Sequence, residues 1–196
     1  GQQYETKAPG GFHDRVCASH DTCEAGEKVL RAAGTHHDRE CMSCDAGRFQ
    51  DAENQISCKP CASSTYQPHT HSPACIQCAN GKFRNGQAAT SNEVDACSAC
   101  PVGQYQDAAG KLGCIKCTVG KFRTIAAAGE SEATACSACP TGQFQDEEGM
   151  IMCIKCGAGK LRNDAVASSS EAAACTDCAV GRYQDGEGMV DCINCA

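Results

Sequence analysis

Nine Cys-x-x-Cys pairs punctuate the sequence, and their spacing repeats. Successive pairs start 17, 17, 22, 17, 22, 17, 22 and 17 residues apart, so the later part of the chain has a period of 39 residues. The pairs start at Cys41, Cys58, Cys75, Cys97, Cys114, Cys136, Cys153, Cys175 and Cys192. A fixed period of this length is typical of linear arrays in which each unit contacts mainly its neighbours. We therefore expect a chain of small tandem modules.

Large apolar side chains are too scarce for a large hydrophobic core. The 196 residues include 20 cysteines and no tryptophan, and Val, Leu, Ile and Phe together supply 23 residues, about 12% of the chain. Chains with less than roughly 20% of these four residues are typically disordered unless something else holds them together. The cysteines must therefore stabilise the fold, either as disulfides or as metal ligands.

Two kinds of loop alternate between the cysteine pairs. Short loops have 13 residues between cysteines, as in 100–114, and long loops have 18, as in 117–136. Nearly all open with Cys-x-x-Gly-x-(Tyr/Phe), in which glycine can adopt the positive φ of a tight turn; Ser64 replaces the glycine once. The aromatic residue is then expected to lie across the loop, against a disulfide. These residues are Phe49, Tyr66, Phe83, Tyr105, Phe122, Phe144 and Tyr183, with Leu161 in place of one ring.

The loop sequences predict short β-ladders and turns, with little helix. Short loops continue with Asp-x-x-Gly, as at Asp107 to Gly110, which is typical of a β-turn. The alanine-rich stretches Ala126–Ala128 and Ala172–Ala174 favour helix by propensity. They lie inside 18-residue loops, which leave room for a turn or two at most.

The neighbours of each aromatic also recur. Long loops carry Lys-Phe-Arg or Lys-Leu-Arg, as at 121–123, and in an extended strand both flanking side chains point away from the ring. They predict a solvated cationic face, or one that meets acidic residues such as Glu130 and Glu132. Four isoleucines follow the first cysteine of alternate pairs and are expected to pack over the adjoining disulfide. They are Ile76, Ile115, Ile154 and Ile193.

Several functional classes are excluded by the same sequence. No run of 18 apolar residues is present, so no transmembrane segment is expected. A net charge of −7 with scattered Lys and Arg argues against nucleic acid. No catalytic constellation breaks the repeat, so we expect neither an enzyme nor a cofactor. His69 and His71 have no patterned third ligand, so no metal site is expected.

Two chemistries use paired Cys-x-x-Cys motifs. Zinc ribbons group the pairs in twos, whereas extracellular arrays oxidise the cysteines to disulfides. The uninterrupted series of pairs, without any basic face or adjacent apolar core, favours disulfides. An interlaced pairing would join Cys97 to Cys114 and Cys100 to Cys117, while a sequential pairing would join the second cysteine of each motif to the first of the next. The spacing leaves both open. Each 13-residue loop would contribute about 3 kcal/mol in the chain-entropy model.

The segment from Cys17 to Cys41 resembles the later part of a cysteine-rich domain of the tumour-necrosis-factor receptor family. It has that family's C-x5-C spacing, the pair Gly34 and Thr35, and Asp38 shortly before the closing cysteine. The Cys-x-x-Gly-x-(Tyr/Phe)-Gln-Asp loops resemble both that family's single-disulfide modules and the ephrin-receptor-like cysteine-rich repeat. The resemblance covers residues 17–195. It implies a small disulfide-rich fold without a large hydrophobic core, an elongated extracellular rod with sequential disulfides.

The sequential pairing implied by the resemblance leaves two cysteines, Cys17 and Cys195, unpaired within the chain or bonded outside it. The implied disulfides are Cys23–Cys41, Cys44–Cys58, Cys61–Cys75, Cys78–Cys97, Cys100–Cys114, Cys117–Cys136, Cys139–Cys153, Cys156–Cys175 and Cys178–Cys192. The predicted domains are an N-terminal segment (1–16), a receptor-like module (17–43), two irregular short modules (44–77) and three repeat units (78–116, 117–155 and 156–196).

Our leading hypothesis is an extracellular structural or adhesive repeat protein that associates with copies of itself in a surface fibre, appendage or matrix. The regular period motivates it, because identical faces at equal intervals fit a partner with the same period. The alternative is the ectodomain or stalk of a cell-surface receptor that binds an extracellular protein through residues 17–78. Serine and threonine at Ser63–Thr65 and Ser168–Ser170 predict possible O-linked glycans.

Overall fold

The computed structural model describes residues 3–11, 14–84, 86, 90–125, 129–164 and 168–195. Of the two alanine-rich stretches, Ala126–Ala128 lies outside the described residues and Ala172–Ala174 lies within them. Contacts divide the chain into two compact units. The first contains Gly1–Cys78 and Asn85–Cys97, and the second contains Ala79–Arg84 and Ser98–Ala196.

The first unit begins with two antiparallel hairpins. Strand β1 (Gln3–Lys7) pairs with β2 (Val16–Ser19), and β3 (Glu27–Arg31) pairs with β4 (Glu40–Ser43). The Glu5 N–H donates to the Thr35 carbonyl at 2.8 Å, which joins the first hairpin to the loop between β3 and β4. The first hairpin includes residues on both sides of the predicted boundary at residue 16.

Every later module contains one antiparallel ladder of two residues per strand. The strand after the turn pairs with the strand that follows the module's second cysteine, so that Tyr105 lies opposite Ile115 and Phe144 lies opposite Ile154. The remaining strands are β5 (Arg48–Phe49), β6 (Lys59–Pro60), β7 (Thr65–Tyr66), β8 (Ile76–Gln77), β9 (Lys82–Phe83), β10 (Ser98–Ala99), β11 (Gln104–Tyr105), β12 (Ile115–Lys116), β13 (Lys121–Phe122), β14 (Ser137–Ala138), β15 (Gln143–Phe144), β16 (Ile154–Lys155), β17 (Lys160–Leu161), β18 (Thr176–Asp177), β19 (Arg182–Tyr183) and β20 (Ile193–Asn194).

The expected tight turns form, including the one without glycine. Ser64 replaces the glycine that precedes most of the aromatics, and it adopts the left-handed conformation with φ of 63°. Its side chain is fully buried. The turn therefore survives the substitution, at a backbone cost that glycine would avoid.

Among the described residues, helix is confined to one short turn in each long loop. The helices are α1 (Glu93–Ala96), α2 (Glu132–Ala135) and α3 (Glu171–Ala174), each with four residues. The side chains of Asn92, Ser131 and Ser170 cap their N-termini by accepting a backbone N–H three residues later. The predicted ladders, turns and scarcity of helix are confirmed.

The core consists of disulfides with a few small apolar clusters around them. Most buried hydrophobic residues are cysteines, and Phe144 is the one aromatic ring among the described residues that is buried, at 5% exposure. Within the described residues no large apolar core forms. Disulfides and backbone hydrogen bonds between modules stabilise the fold in place of such a core.

The structure contains nine disulfides, and each closes one loop. We call the loops closed by Cys100–Cys114, Cys139–Cys153 and Cys178–Cys192 the short modules of the second unit, and those closed by Cys117–Cys136 and Cys156–Cys175 its long modules. The other four bonds are Cys23–Cys41, Cys44–Cys58, Cys61–Cys75 and Cys78–Cys97. This is the sequential arrangement.

Candidate interaction surface

Consecutive modules of the second unit are joined by two repeated backbone hydrogen bonds. In the first, the N–H of the turn glycine donates to the carbonyl of the residue that follows the next module's aromatic position. These bonds run from Gly103 to Arg123 (3.0 Å), Gly120 to Gln145 (2.7 Å), Gly142 to Arg162 (2.9 Å) and Gly159 to Gln184 (2.8 Å). In the second, the backbone N–H of the residue after an aromatic position donates to a carbonyl further along the chain, from Gln106 to Gly129, Arg123 to Met150, Gln145 to Ser168 and Arg162 to Met189. Each module is therefore placed in the same way on the next.

The residue after each aromatic position is buried, which corrects the expectation of a solvated cationic face. The short modules bury Gln106, Gln145 and Gln184, and the long modules bury Arg123 and Arg162. Because each strand has only two residues, the alternation of sides ends at the ring and the next side chain turns inward.

These buried polar side chains complete the backbone hydrogen bonding of the modules. In the short modules, Gln145 Nε2 donates to the Met152 carbonyl at 2.7 Å and its Oε1 accepts the Glu147 N–H at 3.0 Å. In the long modules, the Arg162 guanidinium donates to the Gln143 carbonyl of the preceding module. Arg123 makes the same contact with Gln104, and burial lowers the pKa of the Arg123 side chain.

The first residue of the Lys-Phe-Arg pattern does meet acidic residues of the chain. Lys121 Nζ lies 3.2 Å from Glu132, and Lys160 Nζ lies 3.0 Å from Glu171, each at the start of the helix in its own long module. The hydroxyl and backbone N–H of Thr118 also donate to Glu132. These hydrogen bonds and the nearby Lys121 lower the pKa of Glu132, although partial burial acts in the opposite direction.

Two of the predicted module aromatics pack against the disulfide of the following module. Phe144 forms a buried cluster with Cys156, Ala174 and Cys175, and Tyr66 packs against Cys78, Ala96 and Cys97 in the first unit. Tyr105 occupies the equivalent position in its own module, and its strand β11 contacts α2 of the following module. Burial raises the pKa of Tyr105, and Glu132 and Asp107 add to the shift. The half-buried members are Phe49, Tyr66, Phe83, Tyr105 and Phe122, whereas Tyr183 is 47% exposed.

Successive short modules also contact each other directly, 39 residues apart. A Cβ atom at Gly103 would collide with the Gly149 carbonyl, and one at Gly142 would collide with the Gly188 carbonyl. The side chains of Lys116 and Lys155 lie over Gly149 and Gly188 in turn. The sequence period is therefore also a period of contact within this unit.

The isoleucines expected to pack over disulfides are substantially exposed. Ile76, Ile115, Ile154 and Ile193 have exposures of 43%, 42%, 44% and 51%. Their position opposite the aromatic residue explains this, because the ring rather than the isoleucine covers the following module's disulfide. Other exposed apolar side chains of the second unit's short modules are Val102, Leu112, Ile151, Met152, Val180, Met189 and Val190.

Comparison with known protein families identifies the family to which these modules belong. The family model described as tyrosine-protein kinase ephrin type A/B receptor-like matches residues 34–74, 86–133, 127–173 and 166–196, which is more than three quarters of the chain. The chain belongs to the ephrin-receptor-like family. A comparison with curated proteins finds no match. The predicted resemblance to the ephrin-receptor-like repeat is thereby confirmed.

The ephrin-receptor-like repeat is a non-catalytic cysteine-rich module, and its disulfides indicate an extracellular or secreted protein. It suggests a receptor-like or structural role. Among the described residues, no helix has the length and apolarity needed to cross a bilayer.

The ephrin-receptor-like chain carries its histidines in and near the first unit's early modules. Glu5 lies 3.2 Å from His36 Nδ1 and 3.4 Å from Arg15 Nε. These residues line a cavity of about 430 Å³ beside the exposed free thiol of Cys17; the other free thiol, Cys195, is also exposed. Burial opposes ionisation of Asp38, but N–H groups of Asp21 and Arg39 and the His20 ring outweigh it and lower the pKa of that carboxyl.

The described residues bring one group of three potential metal ligands together, and it does not involve His69. Cys23, Glu27 and Cys41 place their ligand atoms within 4.8 Å of one another, but both sulfurs belong to a disulfide and offer no thiolate. His71 lies instead near Glu27 (3.5 Å) and the Ser43 hydroxyl (3.2 Å).

The predicted O-glycan segments differ in accessibility. Ser64 is fully buried, so it has no room for a sugar. Ser63 is half-buried and its hydroxyl donates to the Gly86 carbonyl, while Ser170 caps α3. Glycosylation outside Ser64 stays a prediction.

Proposed function

We propose that this ephrin-receptor-like chain is an extracellular structural repeat protein that associates with copies of itself in a fibre, appendage or matrix. The observation that carries the proposal is the repeated contact between short modules, in which Gly103 meets Gly149 and Gly142 meets Gly188. Because the modules are placed alike, each exposed feature of one short module recurs on the next.

Recurrent features suit association with a partner that has the same spacing. Individually weak contacts between single modules add along the length of two chains, because each contact raises the effective concentration for the next one. A second copy of this chain has the same 39-residue period, because it has the same sequence.

Sedimentation velocity of the oxidised full chain over a wide concentration range tests the self-association. The proposal predicts sedimentation coefficients that rise with concentration, and assemblies of regular width in negative-stain electron microscopy. A monomer at every concentration would overturn it.

A second candidate function is a receptor ectodomain or stalk that binds a protein ligand through its early modules. The cavity beside β1, lined by Glu5, Arg15 and His36, favours this candidate because it combines charged groups of both signs in a part of the chain outside the regular repeat. Loss of ligand capture on cells after Arg15→Glu, with self-association unchanged, would support the receptor function over the structural one.

A further inference from the structure

The exposed apolar side chains of the second unit are concentrated on its short modules. The first exposes Val102, Leu112 and Ile115, the second exposes Ile151, Met152 and Ile154, and the third exposes Val180, Tyr183, Met189, Val190 and Ile193. We call these eleven residues the short-module set. The intervening long modules expose Ile125 as their one large apolar side chain among the described residues.

The contrast is clear at equivalent positions. The residue after the second cysteine of each short module is isoleucine, at 115, 154 and 193. The residue after the second cysteine of the long loops is serine or threonine, at Ser98, Ser137 and Thr176. All six positions are exposed and lie on two-residue strands. Apolar and polar modules therefore alternate along the unit.

The exposed area fits the requirement of a stable interface. A fully exposed aliphatic side chain presents on the order of 100 Å² to water, so eleven that are about half exposed present on the order of 500 Å². A standard interface buries about 800 Å² per partner, of which about 57% is apolar, or roughly 450 Å². The short-module set of one copy supplies that amount of apolar surface.

The charges of the short modules distinguish the two possible orientations of a second copy. Residues 101–116 carry two lysines and one acid, whereas residues 179–194 carry one arginine and three acids. In a parallel pair, each end module would face the identical module of the other copy, which carries a charge of the same sign. An antiparallel pair sets the positive module against the negative one, which lowers the repulsion.

We propose that two copies of the chain pair antiparallel through the short-module set, about a two-fold axis near Ile154. This proposal rests on the self-association proposed above and names its surface and orientation. Two-fold symmetry makes the contact reciprocal, so that module 101–116 of each copy faces module 179–194 of the other. The middle modules, 140–155, face each other.

Sedimentation velocity on the wild-type chain and two triple variants tests the surface. The triple variant Ile115→Asp, Ile154→Asp and Ile193→Asp is expected to raise the dimer dissociation constant at least tenfold. The matched control, Ser98→Asp, Ser137→Asp and Thr176→Asp, adds the same charges at the equivalent long-loop positions and is expected to change it less than threefold. Intact mass without reductant verifies nine disulfides in each protein.

Zero-length crosslinking of mixed isotope-labelled and unlabelled wild-type chains tests the orientation. Intermolecular crosslinks from Lys111 or Lys116 to Asp185, Glu187 or Asp191 are expected. Crosslinks confined to identical modules would overturn the antiparallel arrangement. Association that survives the triple isoleucine variant would overturn the surface while sparing the proposed function, whereas a wild-type chain that stays monomeric would overturn both.

Discussion

The carbonyl oxygen of Gly149 occupies the space that a side chain at Gly103 would need. The two residues belong to successive short modules, and Gly103 also has a φ of 75°. One glycine thus permits both the turn of its own module and the approach of the module that follows two steps later. The close stacking of the repeat depends on this pair and on its counterpart, Gly142 with Gly188.

Gly103→Ala is expected to destabilise the second unit by roughly 3 kcal/mol, because left-handed strain adds to a collision with backbone. Gly159→Ala is the matched control. Gly159 has a φ of 83° with nothing within 4 Å of its ideal Cβ, so the strain alone should cost about 1 kcal/mol. Urea unfolding of the oxidised proteins measures both, and equal losses would argue against the contact.

Arg162→Met is expected to lower the free energy of unfolding by about 2 kcal/mol. The substitution keeps most of the side-chain volume but removes the donor to the Gln143 carbonyl, which is a hydrogen bond from a charged group. Arg182→Met changes an exposed arginine in the last short module and should stay within about 0.5 kcal/mol of the wild type. Chemical denaturation of the two variants compares them, and similar effects would contradict a structural role for the buried guanidinium.

Phe144→Ala is expected to cost about 3 kcal/mol, since the ring fills the cluster against the Cys156–Cys175 disulfide. The equivalent residue of the last module is Tyr183, which is half exposed, and Tyr183→Ala should cost less than about 1 kcal/mol. Thermal unfolding followed by circular dichroism measures the pair. A larger loss at Tyr183 would show that the ring is packed in solution.

The Glu132 carboxylate makes the free energy of unfolding depend on pH in the acidic range. Its pKa in the folded chain lies below 4.5, so its hydrogen bonds to Thr118 and its pairing with Lys121 stabilise the fold at neutral pH. This contribution persists above the unfolded pKa and is lost as the pH falls through the folded value. Glu132→Gln should therefore lower the melting temperature at pH 7 but converge with the wild type once the pH falls below the pKa of Glu132 in the folded chain. A constant difference across this range in scanning calorimetry would rule out the carboxylate.

Much of the fold follows from the sequence, because three features all indicate small modules closed by disulfides. They are the cysteine spacing, the turn glycines and the shortage of large apolar residues. The placement of Gln145 and Arg162 does not follow, since their partners include carbonyls at Met152 and Gln143 that only folding and stacking bring near. Alternation of sides in a strand assigned Arg162 to solvent, and a two-residue strand is too short for that rule. The exposure of Ile154 does not follow from the sequence either, because it depends on which residue of the ladder the next module covers, and that residue is Phe144.

Counting free thiols in the native chain tests the central claim that each module is closed by its own disulfide. Alkylation without reductant, intact mass and peptide mapping should find two modified cysteines, Cys17 and Cys195, and nine disulfides in the sequential order, with no zinc in a parallel metal assay. Twenty reactive thiols with several zinc ions, or an interlaced bond between Cys97 and Cys114, would contradict the account.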